Sequence, residues 1–298
     1  MHFTKMHGIG NDYIYVDTRF GRPADPPECA RKLSERHFGI GSDGLILINS
    51  SSMADFEMEM YNADGSRGKM CGNGIRCVGK YVYDHGLTDR TTITVETLSG
   101  IKTLRMKRGE DGKIASVTVD MGVPSLKPCD LPMNLSNLPG REIKDGMKEQ
   151  AEKEPILDFP LAIAGLKFNI SCVSMGNPHC VVFMEEDIRN LRIEEVGKLF
   201  ERNPLFPEGV NTEFVNCLQK DRIRMRVWER GSGETLACGT GPCAAAYASM
   251  CLGFTENHTT VELLGGNLGI RLDEESGHLY MEGPAEEVFS GDISVEMI

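Results

Sequence analysis

The chain repeats itself at long range. Residues 58–74 (MEMYNADGSRGKMCGNG) lie over residues 225–241 (MRVWERGSGETLACGTG) without a gap, at an offset of 167. Met58 meets Met225, Tyr61 meets Trp228 and Cys71 meets Cys238. Further on, residues 95–106 (VETLSGIKTLRM) lie over residues 261–272 (VELLGGNLGIRL) at an offset of 166, sharing a Val-Glu start, a Leu, a Gly and an Arg. A looser echo joins MHGIGND at residues 6–12 to SMGNPHC at residues 174–180. Self-similarity at a fixed offset means that one supersecondary plan is used twice. The 298 residues give room for two domains of roughly 150 residues, each able to bury a core.

Period and punctuation fill in each copy. FEMEMYN and IRMRVWE alternate apolar and polar residues as half-buried strands do, and a Gly/Ser/Asp turn follows each. After the Cys motif, GIRCVGKYVYDHG and GPCAAAYASMCLG carry apolar residues at helical spacing and stop at Gly86 and Gly253. Each half therefore reads as a curved sheet wrapped on one helix, with a Cys at that helix's start. The class is α+β, two pseudo-symmetric domains from an internal duplication. The N-terminal half is placed at 1–123, completed by a C-terminal strand at 286–298, and the C-terminal half at 124–285. A polar, charged segment bounded by Pro, about 136–155, reads as a surface insertion.

Composition narrows the function. A formal net charge of -12 argues against nucleic acid, which needs a basic footprint. The start has neither an apolar h-region nor a cleavage site, and no uncharged apolar run reaches about 18 residues. A cytoplasmic protein with no membrane partner is expected. In that reducing compartment most of the ten cysteines should be free thiols packed as small hydrophobes. None of their spacings is C-x-x-C, so no metal site is expected, and Cys77 and Cys243 read as core residues.

A Cys before Gly-polar-Gly at a helix start has a specific chemistry. Unsatisfied N–H groups and the positive end of the helix dipole favour a thiolate and equally cradle an anion. The glycines let backbone approach a small carboxylate. If the two copies face each other, two thiols flank one bound carboxylate. Inversion of a carbon needs that arrangement, because one face must lose a proton and the other must gain one. The carbanion between them would delocalise into a carboxylate held by fixed donors.

MHGIGNDY, YNADGS before MCGNGIRC, SMGNPH, VNTEFV and ERGSGETLACGTGPCAAA together resemble the diaminopimelate epimerase family, in order and over nearly the whole chain. The resemblance implies a cofactor-independent epimerase acting between LL- and meso-2,6-diaminopimelate, a homodimer, and a product that feeds lysine and cell-wall peptide synthesis. It implies that Cys71 and Cys238 are the acid and base. It implies that Gly72, Asn73, Gly239 and Thr240 hold the reacting carboxylate. Asn11, Asn62, Asn177, Asn211 and Arg230 match positions that hold substrate, chiefly at the distal centre. His179 and Glu229 match residues that tune the thiols, Glu229 also contacting the reacting amino group. Gly44 departs from the pattern, since some members carry a substrate-touching Gln there, and Pro242 stands where many have Ala or Ser.

Other readings compete. A proline or hydroxyproline racemase or epimerase of the same fold would keep the two cysteines but need only one carboxylate anchor; proline racemases typically carry His where this chain has Asn73, and PhzF-like isomerases lack the pair. A non-catalytic anion-binding module would have no turnover for Cys71→Ser to remove. His179 could be a satisfied loop histidine, and Asn11, Asn62 and Asn211 could be turn residues. A pyridoxal enzyme is disfavoured because the motifs supply no Schiff-base Lys.

Overall fold

The computed structural model describes residues 1–138 and 154–294. They form two compact units, Met1–Asp120 with the segment from Glu282 onward, and Met121–Met281. The surface insertion expected at 136–155 lies, apart from its ends, outside the described residues.

The first unit is built on β1 (His2–Gly8), β2 (Asn11–Asp17), β3 (Gly44–Asn49), β4 (Phe56–Asn62), β6 (Thr92–Thr97) and β7 (Gly100–Arg108). A short β5 (Arg67–Gly68) pairs with β4, and β8 (Ile114–Gly122) follows β7. The consecutive pairings from β1 to β7 are antiparallel, parallel, antiparallel, parallel and antiparallel. The second unit begins with β9 (Phe159–Ile163), and its main ladder is β10 (Leu166–Ser174), β11 (Pro178–Phe183), β12 (Asn211–Gln219), β13 (Arg222–Glu229), β15 (His258–Leu263) and β16 (Gly266–Leu272). These pair in the same order of directions, with β14 (Gly233–Glu234) on β13 as β5 sits on β4. The duplication in the sequence is thus a duplication of ladder topology.

Each ladder curls around one helix. In the first unit α2 (Gly72–Asp84) touches β1, β2, β7 and the C-terminal strand β18 (Glu286–Asp292), so strands far apart in the ladder meet on one axis. In the second unit α4 (Gly241–Cys251) packs against β10 through β13, β15 and β16. A helix surrounded in this way must be small or apolar over most of its surface, and its buried charges must be paired, as Arg76 and Lys80 of α2 are by the Gly72, Pro284 and Ile114 carbonyls and Asp84. Ala244, Ala245, Ala246 and Ala248 supply the small side chains in α4, all fully buried. In α2 the glycines do: a Cβ on Gly74 would lie 2.7 Å from Ile46 Cδ1, and one on Gly79 2.9 Å from Leu104 Cδ2. Gly86 and Gly253 follow the two helices with φ of +71° and +69°, the left-handed conformation that ends a helix.

One expectation needs correction. FEMEMYN alternates in sequence but not in burial, because Met58 through Tyr61 are all buried. The cause is a second cover: α1 (Pro26–Ser34) packs on β3 and β4, enclosing Cys29, Ala30 and Leu33 with Leu45, Leu47 and Tyr61. With both faces covered the polar position must be neutralised internally. Glu59 accepts from Arg22 at 2.6 and 2.8 Å, from Tyr61 Oη at 2.6 Å and from Asn49 Nδ2 at 2.8 Å. The second unit has the same kind of cover in α3 (Ile193–Glu201), whose Phe200 meets Phe168 and Phe214 edge-on. No helix of the described residues is long and apolar enough to cross a membrane.

Candidate active site

In the first unit the thiol caps its helix. Cys71 is the N-cap of α2, and its Sγ accepts from the Gly74 N–H at 3.3 Å. The same sulfur donates to Asn11 Oδ1 at 3.2 Å, and Asn73 Nδ2 donates to that oxygen at 3.4 Å. Asn11 opens β2 and its orientation is imposed from behind, since its Nδ2 donates to Asp43 Oδ2 at 2.7 Å. Asp43 also accepts from the Asp12 N–H and from Arg36. Thus Asn11, Cys71 and Asn73 form one cluster, with Gly72 in the first helical turn between the last two. Asn62 is not bonded to it: its Nδ2 donates to Ser66 within its own turn.

The second unit repeats the cap with a small shift. Gly241 N–H donates to Cys238 Sγ at 3.3 Å, again from three residues on, although Thr240 is the N-cap of α4. Pro242 falls in the first turn, where its missing N–H costs nothing. Cys238 is only 4% exposed, whereas Cys71 is half-buried. Thr240 Oγ1 stands 3.9 Å from Cys238 Sγ, accepts from Asn177 Nδ2 at 3.2 Å and lies 3.0 Å from His179 Nε2. Asn211 and Arg230 belong to a neighbouring group: Arg230 N–H donates to Asn211 Oδ1 at 3.0 Å, and its guanidinium to Glu208 O at 3.1 Å. Asn211 stands opposite His179 in the parallel β11–β12 register.

Electrostatics around Cys238 oppose its helix end. Burial, then the charges of Glu229 and Glu213, push this thiol well above the ordinary range, and the Gly241 and Thr240 N–H groups only partly offset them. Glu229 is itself raised, by burial first, while bonds from Thr235 and Cys238 pull the other way. Cys238 therefore rests as a thiol, with the nearby Glu229 carboxylate among the charges that keep it so. The helix-start argument alone, which favours a thiolate, omits this neighbouring carboxylate.

Two residues of these clusters escaped the sequence reading, Asp43 and Glu213. Glu213 Oε1 lies 2.7 Å from His179 Nδ1, and both side chains are wholly buried. Each carboxylate reaches its partner across a parallel strand pair, 32 and 34 residues away, Asp43 one residue and Glu213 two residues beyond the position directly opposite. The only available signal was a carboxylate beside an otherwise apolar strand, in SDGLILI and NTEFV. Gly44, the departure from the resemblance, has a spatial reason: a Cβ there would lie 2.1 Å from Tyr61 O.

A family model described as diaminopimelate epimerase matches residues 3–127 and 171–288, which include both cysteine clusters. The chain belongs to the diaminopimelate epimerase family. It is 49% identical over 295 residues to a diaminopimelate epimerase of Acetivibrio thermocellus, covering 99% of each chain. It is 50% identical over 292 residues to that of Desulfovibrio desulfuricans, covering 98% of each. A PhzF-family phenazine biosynthesis protein of Bacillus anthracis shares the fold at a TM-score of 0.68 and 16% identity, covering 99% of both chains. A probable proline racemase of Agrobacterium radiobacter does so at 0.66 and 15%, over 98% of this chain and 92% of that one. The chain is an isomerase of this family with the α+β fold that the duplication predicted.

Proposed function

We propose that this chain interconverts LL- and meso-2,6-diaminopimelate by exchanging one α-proton between Cys71 and Cys238, without a cofactor. The observation that carries this reading is the twinned thiol: each sulfur accepts an N–H from three residues on, at the start of the helix its ladder encloses. In one direction, Cys238 gives its proton to Glu229, and the resulting thiolate takes the α-proton from one face of the substrate. Cys71 then delivers its thiol proton to the other face. The electron pair left on carbon spreads into the α-carboxylate, held by backbone N–H groups of Gly72, Asn73, Gly239 and Thr240. The reverse direction exchanges the two thiols' roles.

Asn11, Asn62, Asn177, Asn211 and Arg230 are assigned to the substrate's amino and carboxylate groups. Arg230 suits the distal carboxylate because its planar fork can grip both oxygens. Glu229 is assigned to the reacting amino group as well as to Cys238. We place the enzyme in the cytoplasm as a homodimer, its product entering lysine and cell-wall peptide synthesis.

The test is substrate choice. LL-diaminopimelate should yield the meso form, and L-proline should remain unchanged. Inversion of proline but not of diaminopimelate would transfer the same chemistry to another substrate and overturn the assignment.

A further inference from the structure

His179 and Glu213 are both fully buried, and their neighbours constrain the protons they carry. Asn177 Nδ2 donates to Thr240 Oγ1 at 3.2 Å, which turns Asn177 Oδ1 toward His179 Nε2 at 3.1 Å. A carbonyl oxygen only accepts, so with the amide in this orientation Nε2 carries a proton, which Thr240 Oγ1 at 3.0 Å is also placed to accept. The 2.7 Å contact between Nδ1 and Glu213 Oε1 then needs a second proton, since two lone pairs would repel. That proton sits on the ring or on the carboxyl, and in both cases the pair is neutral overall. The alternative, a bare carboxylate beside a neutral ring, would bury an uncompensated full charge and is strongly disfavoured. It is disfavoured further because Glu213 Oε2 has no hydrogen-bond partner among the described residues. Burial accordingly raises Glu213, against the pull of His179.

The pair stands close behind a reacting thiol. A Cβ on Gly241 would lie 2.8 Å from Glu213 Oε1 and 3.3 Å from Cys238 Sγ. The titratable groups around it are Cys180 on β11, Glu229 at the end of β13 and Cys238 in the loop before α4. With Glu229 already beside the sulfur, a second negative charge would hold Cys238 as a thiol.

We propose that Glu213 is a positioning residue for the reaction: it fixes His179 with its proton on Nε2, toward Asn177 and Thr240, and keeps the buried pair neutral overall so that Cys238 can ionise. The inference rests on the reading of Cys238 as one of the two acid–base groups.

Selective ¹⁵N labelling of the seven histidines tests the proton directly, with His179 identified by its loss in His179→Gln. The His179 Nε2 signal should be that of a protonated nitrogen from about pH 6 to about pH 9. An unprotonated Nε2 at neutral pH would overturn the proposal. Glu213→Gln keeps a donor for Nδ1 and zero charge, so kcat should stay within about threefold of the parent enzyme, and the alkaline limb of the pH–rate profile that titrates the pair should disappear. Glu213→Leu leaves Nδ1 without a partner and should lower kcat at least about thirtyfold with little change in KM. Equal behaviour of the two variants, or an unchanged pH profile in Glu213→Gln, would reduce Glu213 to packing. If Leu prevents folding, the Gln profile and the nitrogen signal still decide. If the nitrogen signal is as expected but the unmodified enzyme turns over no diaminopimelate, the catalytic reading of Cys238 fails while the proton assignment stands.

Discussion

At the scale of single residues, the two thiols share a cap but differ in surroundings. Cys71 faces a neutral amide, Asn11, whereas Cys238 faces the carboxylate of Glu229. Burial raises the Cys238 thiol most, and the charge of Glu229 raises it further. Glu229→Gln removes the charge, so the Cys238 thiol should move down and a larger fraction should be thiolate at neutral pH. Turnover should nevertheless fall, by about a hundredfold or more, because the proton acceptor is lost. Alkylation of Cys238, followed by peptide mass spectrometry, should therefore speed up while epimerisation slows. Parallel loss of both would contradict this account. The cysteines, Asn73 and Thr240 were legible in the sequence because chain-local motifs carry them. Asp43 and Glu213 were not, because they act across strand pairs whose register no local pattern reveals.

At the scale of elements, β4 and α2 show how close packing fixes the site. Burial works against the charge of Glu59, but bonds from Arg22, Tyr61 and Asn49 and the charge of Arg67 outweigh it and hold its carboxyl at about 2. The unfolded chain protonates this group at its ordinary 4.5. Its contribution, on the order of 3 kcal/mol, is thus present above about pH 4.5 and lost as pH falls toward about 2. Glu59→Gln should cost about 2–3 kcal/mol in denaturant unfolding at pH 7. The gap to the parent should narrow on acidification; a gap independent of pH would exclude the ion network as its cause. In α2, Gly74→Ala should destabilise by about 1–3 kcal/mol despite the better helix propensity of Ala. The added Cβ meets Ile46 and Met58, and it displaces the N–H that Cys71 Sγ accepts. A raised melting temperature would show that the helix can move off the sheet freely. Strand alternation in FEMEMYN suggested one buried face, and only the α1 cover explains the second.

At the scale of the whole chain, duplication was the legible feature and chain return the less direct one. The ladder directions of β1 to β7 recur in β10 to β16 because the same sequence plan occurs twice. The first unit also takes β18 from the far end of the chain, antiparallel to β1, with Phe289 edge-on to Phe3 at 5.9 Å. The Pro284 carbonyl of the same return segment accepts from the buried Arg76 Nε at 3.2 Å. Deleting the chain from Glu286 onward should expose the β1 edge and loosen α2. Hydrogen exchange should then quicken in β1 and α2 while α4 keeps its protection. Equal loss in α4 would mean that the two units unfold as one.

The central claim is that two thiols act on one carbon from opposite faces, and α-carbon exchange in deuterated buffer tests it most directly. With LL-diaminopimelate, the unmodified enzyme should invert the centre and place deuterium on it. Cys71→Ala and Cys238→Ala should each lose inversion by at least about three orders of magnitude. Inversion that survives in either variant would show that one thiol suffices and would contradict the two-thiol account.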